Sequence, residues 1–428
     1  MLFYRLLFSL AFPLLLIRAA AEALRSRSLA PLSERLGLVP AAKDPTIWLH
    51  AASVGEVTSV RPLIDRLLTA DPALRLHVTV NTATARSLAA GWNDARIRVA
   101  FAPLDHRLAL ARFLARTRPL ACITAESELW PNRLAALHDR RIPVILVSAR
   151  LSERSARRWA LFREVADQLL GPIAYLSPQD TASADRFSAI GINPARIGPV
   201  LALKALAAAS PTATDAVLPF QRPFTLLAAS THEGEDAVIL DAYLAAHAHQ
   251  PALRLIIAPR HPARRDGIEA LILARSVAFA TRSRGQPAVP ETQVYLADTI
   301  GEMPLWYAAS GMTFVGGSLV PKGGHTPFEP AAAGSVILSG PDVANFAAPF
   351  AALRAADAMT PVTDAATLAA ALADLADPGL QRRRATAARA ALAPFAPTEA
   401  LNPLLVAIAA ATGRPALAAA REGPFPSD

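Results

Sequence analysis

Short apolar stretches alternate with amphipathic ones from Thr46 onward, and this alternation most constrains the fold. The apolar stretches have the length and composition of β-strands and lie at Ile47–Ala51, Leu76–Val80, Val99–Ala102, Ala121–Thr124 and Val144–Val147. The segments between them have a helical spacing of apolar residues, near 57–69, 84–90, 105–116, 132–139 and 155–169. Strands joined by helices pair in parallel, so the pattern predicts an α/β fold with a doubly wound sheet.

The same alternation begins again after a Pro-, Ala- and Thr-rich stretch at 207–223. Further strands are predicted at Phe224–Ala228, Leu255–Ala258, Val277–Thr281, Val294–Leu296, Thr313–Val315 and Val336–Leu338. Helices are predicted between them, near 234–247, 264–274, 302–309, 328–333 and 366–376. The repetition indicates two similar halves joined by a linker.

A chain of 428 residues is too long for one ordinary domain, so more than one is expected. The repeated pattern places the domain boundaries. We predict a connector at 1–45, a Rossmann-like domain at 46–206, the linker at 207–223, a second Rossmann-like domain at 224–412 and a tail at 413–428. The Ala-rich helical stretch at 380–411 leaves open a return to the first domain. Two such domains are expected to face each other across a ligand-binding cleft.

The N-terminal segment is apolar from Leu6 to Ile17, which is shorter than the roughly 20 residues that a membrane span needs. Pro13 interrupts it, and Arg18 and Glu22 follow. An interfacial anchor, a single span and a cleaved signal all stay open, and the interfacial anchor is favoured. Arginines mostly follow the apolar run, which predicts a protein anchored at the cytoplasmic face of the inner membrane.

The amino-acid composition excludes several kinds of partner and site. Aromatic residues make up 6% of the chain and the net charge of +8 is spread along it, so no nucleic-acid partner is expected. Arginine, which pairs with phosphate and carboxylate groups, supplies nearly all of the positive charge, because the lysines are only Lys43, Lys204 and Lys322. The single cysteine, Cys122, excludes a disulfide framework and a thiolate metal cluster. We expect an anionic substrate or membrane surface as partner, with no cofactor and no metal.

A Ser-x-x-Glu sequence follows the first predicted strand of each half, as Ser53/Glu56 and as Ser230/Glu233. This spacing is typical of a capping box at the start of a helix, where free N–H groups attract anions. A second interpretation stays open for Glu56. Pro62 is best tolerated in a first helical turn, which would start the helix near residue 59 and leave Glu56 in a loop, as a base.

Two further glutamates, Glu126 and Glu128, follow the predicted strand Ala121–Thr124 within TAESELWPN. In an extended chain their side chains point the same way, and neighbouring carboxylates raise each other's pKa, which suits acid–base catalysis. The alternative is that they cap the helix that Pro131 opens.

Two loops of the second half have the composition of a phosphate or sugar site. Arg260 and His261 follow a predicted strand, where an arginine either clamps a phosphate or lies at the surface. The glycine-rich segment FVGGSLVPKGGHTPFEP (314–330) allows close approach of a ligand to the backbone, and Glu329 is placed to bind sugar hydroxyls. Its spacing is neither that of a Walker motif nor GxGxxG. His232, His261 and His325 neighbour these loops, but no zinc site is predicted.

At these loops the sequence resembles the 3-deoxy-D-manno-octulosonic acid (Kdo) transferases of lipopolysaccharide biosynthesis. Eight segments carry the resemblance in register, namely WLHAASVGEV (48–57), ESELWPN (126–132), SARLSERS (148–155), ASTHEGED (229–236), PRHPAR (259–264), DTIGEMPLWY (298–307), FVGGSLVPKGGHTPFEP (314–330) and GPDVANF (340–346). The N-terminal apolar segment also suits this membrane-associated family.

The resemblance implies a GT-B architecture and inverting transfer of Kdo from CMP-Kdo to the lipid A precursor lipid IV(A). It implies that Glu56 is the catalytic base. It further implies donor contacts by Pro259, Arg260, Ile300, Gly301, Glu302, Thr326, Pro327, Phe328 and Glu329. Residues that support the acceptor or the site are expected among Ser53, Gly55, Glu126, Glu128, Ser230, His232 and His261. Because CMP is already a good leaving group, the reaction does not demand a metal.

The sequence departs from the family pattern at three places. Thr326 stands where the family has asparagine, and TVNTATAR (79–86) lacks the glycine of the family's Thr-rich motif. GPVLALK (198–204) replaces Gly-Asn-Leu-Lys, so the resemblance alone gives Lys204 no role. Two alternatives stay open, another GT-B nucleotide-sugar enzyme or epimerase and an inactive membrane-tethered paralogue.

Overall fold

Two parallel β-sheets organise the computed structural model, which describes residues 2–126, 128–161, 170–208, 218–395 and 400–419. One sheet lies in a compact unit made of residues 1–207 together with the chain from Phe395 onward, and the other lies in a unit made of 208–394. The α/β class with parallel sheets, predicted from the strand and helix alternation, is confirmed. The cleft between the two halves stays a prediction.

The sheet of the first unit has the strand order β3-β2-β1-β4-β5-β6. All pairs are parallel, and the direction of winding reverses between β1 and β4. The strands are β1 Thr46–His50, β2 Leu76–Val80, β3 Ile97–Phe101, β4 Pro119–Ala125, β5 Val144–Ala149 and β6 Ile173–Pro178. Its helices are Leu2–Ser26, Ala30–Arg35, Val54–Ala70, Ala83–Ala90, Arg107–Thr117, Pro131–Asp139, Glu153–Ala160, Thr181–Ala189, Leu203–Ala208, Leu401–Thr412 and Ala416–Ala419.

The sheet of the second unit has the order β13-β12-β11-β7-β8-β10-β9, again with every pair parallel. Its winding reverses between β7 and β11. The strands are β7 Thr225–Thr231, β8 Arg254–Pro259, β9 Phe279–Thr281, β10 Val294–Leu296, β11 Met312–Val315, β12 Val336–Ser339 and β13 Met359–Pro361. The helices are Glu235–His247, Arg265–Leu273, Met303–Ala309, Phe328–Ala332, Ala347–Ala355, Ala365–Asp374 and Pro378–Leu392.

Apolar side chains fill both faces of each sheet. On one face of the first sheet, Leu63 and Ile64 pack against strand residues such as Leu49, and on the other face Trp48 packs against Phe113. The second sheet is covered in the same way. Because both faces are covered, the central strands are buried along their length and consist mostly of apolar residues. This explains why they stand out as continuous apolar stretches in the sequence.

The helix after β1 begins at Val54, and not near residue 59 as one interpretation of Pro62 predicted. The Ser53 hydroxyl caps it by accepting the Glu56 backbone N–H. Pro62 lies inside the helix and removes the hydrogen bond that would reach the carbonyl of Thr58. Thr58 is exposed, so water can satisfy that carbonyl and the helix continues. Glu56 therefore lies in a first helical turn and not in a loop.

The predicted capping box of the second half is wrong. Ser230 still belongs to the end of β7, in a left-handed conformation with φ of 58°. The helix begins later, at Glu235, after Gly234 with φ of 96°. The Glu235 side chain, and not that of Glu233, turns back to the loop and accepts the His232 backbone N–H at 2.8 Å.

The C-terminal chain returns to the first unit, which corrects the predicted boundary at residue 412. Within helix Leu401–Thr412, the side chains of Leu401, Leu404, Leu405 and Ile408 are fully buried in the core of the first sheet. An ion pair between Arg414 and Asp71 adds to this attachment. Helix Pro378–Leu392, by contrast, stays in the second unit, so only the later part of the Ala-rich tail returns.

The N-terminal segment forms helix Leu2–Ser26, with Pro13 inside it. Ala19 and Ala23 are buried, whereas Leu14, Ile17 and Leu24 are mostly exposed. No helix in the described part of the chain has both the length and the hydropathy that crossing a membrane requires.

Candidate active site

Glu56 lies directly beyond the carboxyl end of β1, beside the point where the first sheet reverses its winding. The residue is only 9% exposed. Oε2 accepts the Ala52 backbone N–H at 2.8 Å and Oε1 accepts the Ser53 hydroxyl at 3.0 Å. Burial and the negative charge of Glu126 raise the pKa of Glu56 to about 7, against the opposing effect of these hydrogen bonds. A carboxyl group with this pKa is well placed to exchange a proton near neutral pH.

Glu126 follows β4, the strand next to β1, and is held in an unusual backbone conformation. Its φ is 54°, and its N–H donates to the carbonyl of Val147 at 3.0 Å. The carboxylate forms an ion pair with Lys204, whose Nζ lies 2.6 Å from Oε1. Glu126 thus pairs with a cation and also acts on Glu56 through its charge, part of which Lys204 compensates.

Glu128 is bound by other partners. His50, the last residue of β1, has its Nε2 3.3 Å from Oε2, and the indole N–H of Trp130 donates to the same oxygen. Burial raises the pKa of Glu128, but these contacts and the Arg133 charge outweigh it and lower the pKa to about 2. The expectation that Glu126 and Glu128 raise each other's pKa is therefore wrong for Glu128. The turn at Glu126 sends the two side chains to different partners, and the raised carboxyl group is Glu56.

A chain of hydrogen bonds orients His50. The Trp48 indole N–H donates to Thr79 Oγ1 at 2.8 Å, and Thr79 Oγ1 lies 2.9 Å from His50 Nδ1. Burial and the Arg133 charge lower the pKa of His50 to about 4, so the ring is neutral at neutral pH. Because the ionised Glu128 carboxylate can only accept, the neutral ring donates its proton from Nε2 to Glu128, while Nδ1 faces the Thr79 hydroxyl and, at 3.1 Å, the Thr79 carbonyl. The contact is a hydrogen bond from a neutral imidazole and not a salt bridge.

A basic cluster lies at the equivalent position of the second unit, where β7 and β11 end. The rings of His232 and His325 stack, with their Nε2 atoms 2.9 Å apart, and His261 lies edge-on to His232 with ring centres 6.1 Å apart. Burial and the nearby charges of His261, Lys322 and Arg260 lower the pKa of His232. We call His232, His261, His325, Arg260 and Lys322 the basic cluster below.

The cations of this region differ in what they can bind. Arg264 is engaged by Asp236 and by the Thr231 carbonyl. Arg260 and Lys322 are both exposed, and neither forms a salt bridge among the described residues. These two side chains, with the histidines, can therefore meet an anionic ligand. Parallel α/β sheets bind ligands at such reversal points beyond the carboxyl ends of their strands.

The other predicted donor residues lie at the same edge of the second sheet. Pro259 ends β8, and Ile300 and Gly301 follow β10, where Ile300 is 44% exposed. Glu302 instead pairs with Arg282 at 2.6 Å, which lowers its pKa. After β11, a second group surrounds the start of helix Phe328–Ala332 and consists of Thr326, Pro327, Phe328 and Glu329.

Two hydrogen bonds of hydroxyl groups involve residues of this group. The Thr326 hydroxyl accepts the Phe328 backbone N–H at 3.3 Å, and the Tyr307 hydroxyl donates to Glu329 at 3.4 Å. Among the described residues, no group of three or more His, Cys, Asp or Glu side chains has an arrangement that could hold a metal ion.

A family profile described as 3-deoxy-D-manno-octulosonic-acid transferase (kdotransferase) matches residues 30–207. A 3-deoxy-D-manno-octulosonic acid transferase of Haemophilus influenzae is 34% identical over 359 residues, 80% of this chain and 83% of that protein. The chain belongs to the Kdo transferase family. It is therefore an enzyme, a glycosyltransferase.

Two further comparisons concern the family and the fold. The Kdo transferase of Bordetella pertussis is 35% identical over 82% of this chain and 84% of its own. A UDP-GlcNAc 2-epimerase structure from Neisseria meningitidis, bound to UDP-GlcNAc, has a TM-score of 0.58 at 12% identity, covering 85% of this chain and 99% of that one. This second likeness is one of fold alone.

Sequence reasoning missed several residues that the structure brings to these sites. His50 and Lys204 contact Glu128 and Glu126 in the first unit, and Lys322 and Glu235 lie at the loops of the second. His50 carried a signal, because it is the polar residue that ends the buried strand TIWLH. Glu235 carried none, since its role depends on a loop more than 80 residues later in the chain.

Proposed function

We propose that this Kdo transferase moves Kdo from CMP-Kdo to lipid IV(A), with inversion and with Glu56 as general base. The observation that carries the proposal is the buried Glu56, whose pKa of about 7 suits it to take a proton near neutral pH. Its position beyond β1, beside the reversal of the sheet, is where such folds bind ligands.

The transfer has one proton to move and one bond to break. Glu56 takes the proton of an acceptor hydroxyl, and the oxygen attacks the anomeric carbon of Kdo. The bond from that carbon to the phosphate oxygen breaks, and CMP leaves with the electron pair. An attack from the face opposite the leaving group inverts the configuration, by analogy with inverting glycosidases.

The basic cluster supports the assignment of the donor. CMP-Kdo carries a phosphodiester and a carboxylate, and Arg260 and Lys322 are exposed cations beside three histidines. Positive side chains at this edge stabilise the charge that builds on the leaving phosphate. We assign the donor to the second unit and the acceptor hydroxyl to the first.

We also propose that the enzyme works at the cytoplasmic face of the inner membrane and is held there by its N-terminal helix. The support is the exposed apolar side chains of Leu14, Ile17 and Leu24 on one side of helix Leu2–Ser26. Such a helix lies in the interface between lipid and water, where a lipid acceptor is also found.

Replacing Glu56 by glutamine tests the base. Glutamine keeps the size of the side chain and can still accept a hydrogen bond from Ala52 or Ser53, but it does not take up the proton. We expect turnover of CMP-Kdo with lipid IV(A) to fall about 100-fold or more. Glu153→Gln, at an exposed glutamate in the same unit, is the control and is expected to keep full activity.

Two outcomes would contradict the proposal. Near-normal turnover by Glu56→Gln would remove Glu56 as the base. If the wild-type enzyme binds CMP but releases no CMP from CMP-Kdo in the presence of lipid IV(A), lipid IV(A) is excluded as the acceptor. The melting temperature of each variant, compared with that of the wild type, shows whether a loss of activity reflects unfolding.

A further inference from the structure

The carboxylate of Glu235 is fully buried beneath the glycine-rich loop that follows β11. Oε2 accepts the backbone N–H of Gly317 at 2.7 Å and that of His232 at 2.8 Å. Oε1 accepts the N–H groups of Ser318 and Leu319, both at 3.0 Å. Four backbone donors thus converge on one side chain, and both of its oxygens are saturated.

Three consecutive N–H groups that point at one site are the arrangement that binds phosphates in other folds. Here the protein's own carboxylate occupies that position. The remaining glycines of the segment are also engaged. The Gly316 N–H donates to the Ala229 carbonyl, that of Gly323 to Asp342, and that of Gly324 to the Gly317 carbonyl. The glycine-rich segment therefore does not offer these amides to a ligand, contrary to what its composition suggests.

The same carboxylate connects the two loops that carry the histidine pair. His232 follows β7, whereas Gly317 and His325 follow β11. A Cβ atom on Gly317 would lie 3.3 Å from His232 and 3.4 Å from His325, so both rings rest against this glycine. A shift of the 317–319 backbone would move the rings relative to each other.

We propose that Glu235 is a positioning residue of the donor site. It acts as an internal anion that holds the β7 and β11 loops together, and it leaves the donor's charged groups to the side chains of the basic cluster. The proposal rests on the proposed function, in which this cluster binds CMP-Kdo. Glu235 itself, being buried, does not touch the donor.

Titration with CMP tests this role in the full-length protein. Glu235→Gln replaces one acceptor oxygen by an NH₂ group, which faces N–H donors and repels them. We expect the affinity for CMP to fall about tenfold to 100-fold, as misplacement of binding groups does, with a larger change in KM for CMP-Kdo than in kcat. The side chain of Glu235→Asp is shorter and does not reach all four donors. Its affinity for CMP is expected to lie between those of the wild type and Glu235→Gln. Glu233→Gln, at an exposed glutamate two residues earlier, is the matched control and is expected to bind CMP normally.

Hydrogen exchange of the wild-type protein provides a second measurement, which does not depend on the variants folding. The amides of 317–319 are expected to exchange slowly without ligand, and added CMP is expected to leave their rates nearly unchanged. Fast exchange of these amides in the free protein would overturn the proposal, as would normal CMP affinity in Glu235→Gln. If wild-type protein and Glu233→Gln both fail to bind CMP, the donor assignment is at fault, whereas selective loss in Glu235→Gln supports the positioning role.

Discussion

Opposing effects set the pKa of Glu56, and the pH dependence of the enzyme's rate should reflect that pKa. Its pKa of about 7 results mainly from burial and from Glu126. A general base must be unprotonated, so kcat/KM is expected to fall below about pH 7 with a slope of one. Removing the Glu126 charge in Glu126→Gln lowers the pKa of Glu56, so this acidic limb should move to lower pH.

The pH–rate profiles of wild type, Glu126→Gln and the exposed control Glu153→Gln measure this shift. The control profile is expected to match that of the wild type. An unchanged or upward-shifted limb in Glu126→Gln would mean that Glu126 does not act on Glu56 through its charge.

The residues of this site differ in how far the sequence predicts them. Ser53 and Glu56 were identifiable as a cap because a helix start depends on residues three apart. Glu126 and Glu128 were wrongly paired, because no local pattern shows that Glu126 adopts a φ of 54° or that Lys204 reaches it. The pKa values of these groups depend on contacts between segments that are far apart in the chain, and such contacts are not predictable from a single sequence.

At the scale of elements, the central strands were predicted well, and of the four edge strands β3 and β9 were predicted within two residues. β1, β2 and β5 are buried along their full length and were found with nearly correct bounds. β6 and β13 were missed. β13 is only three residues long, and β6 ends in Ser177 and Pro178, which shortens the apolar signal of each strand.

The N-terminal helix yields a prediction about membrane binding. Deleting residues 1–27 removes the exposed Leu14, Ile17 and Leu24, each of which would bury apolar surface in a bilayer. We expect sedimentation with anionic lipid vesicles to fall roughly tenfold or more, because burying one leucine contributes about 1.5–3 kcal/mol. CMP binding should persist, since the donor loops lie in the other unit.

A point variant separates the role of the helix surface from that of the deletion. Ile17→Ser is expected to weaken vesicle binding, whereas Leu273→Ser, at an exposed leucine of the second unit, is expected to have no effect. Vesicle binding by the truncated protein at the wild-type level would show that another surface anchors the enzyme.

At the scale of the whole molecule, the returning helix Leu401–Thr412 makes the stability of the first unit depend on the end of the chain. Leu405→Ala would leave a cavity in that core and is expected to destabilise the first unit by about 2–5 kcal/mol. Melting should show the loss, while CMP still raises the melting temperature of the second unit. The exposed Leu273→Ala is the control, and a parallel loss of CMP affinity in Leu405→Ala would contradict this division.

The path of the chain also sets the order in which the protein is built. Residues 208–394 form the second unit and leave the ribosome before helix Leu401–Thr412, which the core of the first unit contains. Domains generally fold as units as they emerge during synthesis. The N-terminal half is thus translated first but completed last, and until then it exposes the apolar groove that Leu404, Leu405 and Ile408 later fill.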